Sequence, residues 1–177
     1  MTTLAEGAVT FSFHDSWIVL HYDQLRYVKK LTNLGGSNKA VDIAAFDPAT
    51  GTLWLIEVKD YRTHPREKPQ DIVNELAVKV RDSLAGLVIL RVRAGGGYQD
   101  RIHTILSGVS LVRIVLHVEQ RALPSRLHPY VLNPKTINDL MRRALKRVDN
   151  QVRASSTSCP EINGPSVLPW TVVLNGP

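Results

Sequence analysis

The sequence predicts an α/β fold organised around a mixed β-sheet. Two strand-type runs joined by turn chemistry, a helical pattern directly after them, and a later apolar run followed by a second amphipathic helix carry that prediction. Val9-Thr10-Phe11-Ser12-Phe13 alternates apolar and polar residues, as a half-buried strand does. Trp17–Tyr22 suits a second strand or the start of a helix running to Leu31, since periodicity does not separate the two. Gly35-Gly36-Ser37-Asn38 then breaks the chain. Val41–Phe46 and Leu53–Lys59 are rich in strand formers, and Asp47-Pro48-Ala49-Thr50-Gly51 between them is turn chemistry, so the pair predicts a β-hairpin.

Pro69 is placed to open a helix that runs to about Val92. Ile72, Val73, Leu76, Ala77, Val80 and Leu84 mark its inner face. Glu75 and Lys79 are spaced as an i,i+4 pair, and read either as an exposed ion pair or as residues that reach a site on the sheet. Gly95-Gly96-Gly97 ends that element, Tyr98–Leu106 suits a short helix, and Leu111–Val118 reads as an inner strand. Asn133-Pro134 opens a helix to about Asp149, with Ile137, Leu140, Met141, Ala144, Leu145 and Val148 as its core stripe. Residues 1–153 are therefore expected to form the domain. Residues 154–177 are expected to be a Ser-, Pro- and Gly-containing tail, with one late edge strand at Leu168–Leu174 or docking through Trp170.

The 177 residues carry a formal net charge of +6, and its distribution is uneven. Residues 121–153 hold eight basic and two acidic side chains, while the rest of the chain balances at fourteen of each. Such a concentration suits a polyanion, and nucleic acid is the expected partner through Arg142, Arg143, Lys146 and Arg147. No apolar run reaches the roughly 20 residues a membrane helix needs, and Met1–Glu6 lacks a signal peptide's basic start, so a cytoplasmic protein without a membrane partner is expected. A single cysteine excludes an internal disulfide framework, and the six histidines show no ligand spacing and read as structural or solvated.

Chemistry concentrates in Asp42 and Glu57-Val58-Lys59. Side chains alternate along a strand, so Glu57 and Lys59 share a face, and the hairpin brings Asp42 beside Glu57 at its open end. Charges in such apolar strands are costly to bury unless paired or bound to a metal. Two carboxylates suit Mg²⁺ or Mn²⁺, with the Val58 carbonyl as a further oxygen donor. Lys59 beside them suits the stabilisation of phosphoryl charge. Arg62, just past the strand, is a candidate phosphate contact.

Lys39–Ala45 followed by Leu55–Arg62 resembles the core of the PD-(D/E)XK nucleases, a superfamily with a restriction endonuclease-like αβββαβ core, although Val41 stands where the family name has proline. The resemblance implies that Asp42 and Glu57 bind the metal and that Lys59 is the catalytic lysine. Asp23 is the preferred early acid over Glu6 and Asp15. The function expected on this basis is a metal-dependent nuclease acting on DNA more readily than RNA, alone or with a second copy or a partner protein. The alternative is a non-catalytic nucleic-acid-binding or protein-interaction module on the same kind of fold.

Overall fold

The computed structural model describes residues 1–33, 38–63, 71–93, 97–128, 131–164 and 167–175. The predicted breaks at Gly35–Ser37 and Gly95–Gly96, and the helix opening at Pro69, lie outside the described residues. The chain runs β1 (Thr2–Glu6), β2 (Val9–Phe13), β3 (Ile18–His21), α1 (Arg26–Thr32), β4 (Ile43–Asp47) and β5 (Thr52–Asp60). It continues with α2 (Ile72–Arg93), α3 (Gly97–Gly108), β6 (Leu111–Glu119), α4 (Pro134–Leu145), β7 (Arg153–Ser155), a 3-10 turn (Pro160–Ile162) and β8 (Thr171–Leu174).

Five strands form the central mixed sheet in the order β3-β4-β5-β6-β7. β3, β4 and β5 are antiparallel neighbours, whereas β6 joins β5 in parallel and β7 joins β6 in parallel. The long connection through α2 and α3 is what permits the parallel β5–β6 pairing. The second sheet is antiparallel, in the order β1-β2-β8.

Strand alternation separates two cores. Ala44, Phe46, Leu53, Leu55, Leu116 and Val118 face the helices, where they meet Leu76, Leu87, Ile105 and Met141. Ile43, Ala45, Trp54, Ile56 and Val115 face the small sheet, where they meet Phe11, Phe13, Trp17 and Trp170. The central sheet is therefore covered on both faces, which accounts for strands that are almost continuously apolar.

The β4–β5 turn forms as its chemistry requires. The Ala49 N–H donates to Asp47 Oδ1 at 3.0 Å and the Thr50 hydroxyl to Oδ2 at 2.7 Å. Gly51 closes the turn at φ +65°, where its backbone also lies against Gly108 and Ser110. Register then follows, with Asp47 opposite Thr52 and Ile43 opposite Ile56.

Four expectations change. Trp17–Tyr22 resolves into a strand, β3, with α1 beginning only at Arg26. The last predicted helix stops at Leu145, and only Ile137, Met141 and Leu145 of its stripe are buried, with Leu140, Ala144 and Val148 exposed. The segment expected to be a tail after residue 153 packs into the fold, since β7 pairs with β6 and Cys159 and Ile162 are buried. Finally, the expected central mixed sheet is joined by a second sheet, in which β8 pairs with β2 over the central one. No helix among the described residues is long and apolar enough to cross a membrane.

Candidate functional site

The β4–β5 register places Asp42 directly before β4 and across from Glu57, as predicted. Asp42 is held by the strand it faces. Its Oδ2 accepts the Val58 N–H at 2.6 Å, which caps β5 beyond its last β4 partner. A residue's N–H and C=O leave a strand on the same side, so the Val58 carbonyl also looks toward Asp42. Glu57 and Lys59 share the helix-facing side and are in contact, with Nζ to Oε1 at 2.9 Å.

The sequence left Glu75 and Lys79 between two readings, and the structure brings both to the site. Lys79 reaches down from α2 and donates to Glu57 Oε1 at 2.6 Å, with Asp42 Oδ1 3.5 Å away. Glu75 lies 3.4 Å from Lys59 Nζ and 3.9 Å from Lys39 Nζ. Two ammonium groups thus converge on a single carboxylate oxygen. Burial and the neighbouring Asp42 push the Glu57 carboxyl up to about 7, against the opposing pull of Lys79 and Lys59. Burial disfavours the Lys59 ammonium, but Glu57 and Glu75 outweigh that and raise its pKa.

The donor set fits a divalent ion in one respect. Glu57 Oε2 is buried and has no hydrogen-bond partner among the described residues, so it can accept a ligand without breaking a bond to any of them. Asp42, Glu57 and the Val58 carbonyl would hold Mg²⁺ or Mn²⁺, and such an ion would supply positive charge for a phosphate. Lys79 already places one charge between the same two carboxylates, so an ion and this ammonium compete for one location.

Asp23 lies where the chain leaves β3, next to Tyr22, whose N–H donates to the Asp42 carbonyl at 2.8 Å. Burial and the Asp42 charge raise the Asp23 carboxyl, so the two acids sense one another. Its nearest cation-forming partner is His21, with Nε2 3.7 Å from Asp23 Oδ1, and His21 also contacts Glu6. Sequence reasoning missed His21, because its contact with Glu6 joins the end of β3 to the end of β1 and no local spacing links those two residues.

The basic residues divide. Arg142, Arg143, Lys146 and Arg147 are exposed at the C-terminal end of α4 and just past it, with Arg142 3.2 Å from Asp139. Arg153, counted with them in the sequence, is buried against the Trp54 ring at 5.5 Å and leaves the surface patch. Arg62 is gripped by Asp60 through Nε at 3.0 Å and Nη2 at 2.8 Å, so its charge is neutralised within its own loop.

Comparison with known proteins gives one relative. The chain is 28% identical to a protein described as Cysteine--tRNA ligase from Neisseria meningitidis, over 97% of this chain and 30% of the ligase. This chain thus spans less than a third of the length of that relative. No protein-family model and no solved structure matches. The likeness to a tRNA ligase overturns the expectation of a metal-dependent DNA nuclease.

Proposed function

We propose that this chain is an RNA-binding module of the kind a tRNA ligase would carry beside its own catalytic parts. The observation that carries the reading is the likeness to Cysteine--tRNA ligase across nearly the whole chain, 97% of it, against 30% of the ligase. Charge supports it. Arg142, Arg143, Lys146 and Arg147 form an exposed basic cluster at the end of α4 and in the turn after it, and such a surface holds phosphates without reading sequence. The reading also includes a restriction endonuclease-like arrangement of the core, supported by the β4–β5 hairpin followed by α2 and a parallel β6, without its cleavage chemistry.

The test is equilibrium binding of a tRNA, an RNA duplex, single-stranded RNA and a DNA duplex over a series of salt concentrations. The wild type is expected to bind tRNA with a steep salt dependence. Replacing Arg142, Arg143, Lys146 and Arg147 by Ala should lower the magnitude of the slope of log K against log salt by about 3–4, at roughly 0.7–0.9 for each phosphate no longer neutralised. Failure to bind any RNA at low salt, or a slope unmoved by the fourfold variant, would remove the proposal.

A further inference from the structure

We infer that Glu6, His21 and Asp23 form a binding site for a first-row divalent transition ion, Zn²⁺ above all, separate from the Asp42–Glu57 pair. One ligand atom from each residue lies within 4.8 Å of the others. The three residues come from different places in the fold: Glu6 ends β1, His21 ends β3, and Asp23 follows β3 after one residue.

The hydrogen bonding inside this group is frustrated. His21 Nε2 faces both carboxylates, in contact with Glu6 Oε2 and 3.7 Å from Asp23 Oδ1. That nitrogen carries at most one proton, so it can serve one acceptor. Glu6 takes it. Asp23 Oδ1 is left shielded from solvent with no hydrogen-bond donor among the described residues. A cation between the three atoms would satisfy all of them, because each donates a lone pair to it and none must supply a proton. Ligands about 2 Å from a common ion lie roughly 3–3.5 Å from one another, so an ion would draw Asp23 closer to His21 and part His21 from Glu6.

The outer contacts are those of a prepared ligand. Gln24 Nε2 donates to Asp23 Oδ2 at 2.9 Å, orienting the carboxylate while leaving Oδ1 for the ion. All three side chains are half-buried, so the site keeps a route for an ion and room for water as a further ligand. One imidazole with two carboxylates favours zinc-like ions over Mg²⁺, which prefers an all-oxygen shell. The site is also a joint between layers. It ties the end of β1 in the small sheet to the end of β3 in the central sheet.

The test uses the full chain stripped with a chelator and titrated with Zn²⁺ by calorimetry, then with Co²⁺ by visible absorption. Wild type should bind a single Zn²⁺, and Co²⁺ should develop ligand-field bands that shift when an imidazole is lost. His21→Ala should weaken Zn²⁺ binding at least about tenfold, a scale that even loss of an outer-shell partner reaches. Glu57→Gln should leave Zn²⁺ binding unchanged. Glu6→Gln preserves side-chain size and gives a second route to the same loss should His21→Ala fail to fold, as read by circular dichroism. Absence of Zn²⁺ binding in the wild type overturns the inference. So does binding that survives both His21→Ala and Glu6→Gln, or that disappears with Glu57→Gln alone, which would assign the ion to the other carboxylates.

Discussion

Glu57 is the residue on which the most opposing forces meet. Its carboxyl moves from an ordinary 4.5 to about 7 because burial and Asp42 outweigh two ammonium partners. The sign for stability follows from linkage. Below pH 4.5 the group is protonated in folded and unfolded chains alike. Between 4.5 and 7 the unfolded chain has released a proton that the folded chain still holds, so stability falls as pH rises through that window. Urea unfolding of the wild type should therefore lose on the order of 3 kcal/mol across it. Glu57→Gln should flatten this limb, and equal slopes for the two proteins would refute the assignment. Lys79 makes the complementary case. Lys79→Met strips one ammonium from two buried carboxylates, a change that costs about 3–5 kcal/mol when a buried pair is broken. If Mn²⁺ takes the place vacated by the ammonium, adding it should recover much of that loss in the thermal midpoint of the variant and do little for the wild type.

At the scale of elements, what could be read from the sequence follows the reach of local forces. The β4–β5 hairpin was legible because its turn residues fix the register, and register alone sets Asp42 opposite Glu57. The placement of Lys79 was not, since it depends on how α2 crosses the sheet rather than on any spacing within the helix. β7 was unreadable for another reason. Arg153-Ala154-Ser155 has the polarity of a loop, and its strand form comes from parallel pairing with β6. The acidic anchor of this segment was equally hidden. Glu119, at the end of β6, accepts the Thr157 and Ser158 N–H groups at 2.7 Å each and sits 2.7 Å from His117 Nε2. Burial alone would raise its carboxyl, but these partners pull it down to about 2. Its contribution to stability is present above its ordinary 4.5 and is lost as pH falls toward about 2. Glu119→Gln should therefore weaken the fold near neutral pH while reducing the further loss on acidification, read by unfolding at pH 7 and pH 3. The start of α4 was legible because its signal is local. The Asn133 side chain accepts from the Lys135 N–H at 2.9 Å, so Asn133→Ala should cost about 1 kcal/mol.

Across the whole molecule, cooperativity depends on whether the two sheets fold as one body, and the tryptophans are placed to report it. The sequence has three, and Trp17, Trp54 and Trp170 all lie in the core between the small sheet and the central sheet. Trp170 is the hinge pin of that cluster. Its ring centroid lies 5.0 Å from Trp54, 5.6 Å from Phe13 and 6.4 Å from Trp17. It belongs to the segment leading into β8, so the chain's last strand closes a layer begun by its first two. Intrinsic fluorescence therefore sees this junction, whereas far-ultraviolet circular dichroism is dominated by the helices on the opposite face. If the central sheet transmits order between its two faces, the two signals should trace one denaturant transition. Trp170→Ala should move both transitions together, at a cost of about 3–5 kcal/mol for a large aromatic removed from a packed site. A fluorescence transition that precedes the loss of helical signal would show instead that the small sheet opens by itself. In that event the Glu6–His21 pairing between β1 and β3 would be a separable latch, and not part of a single folding unit.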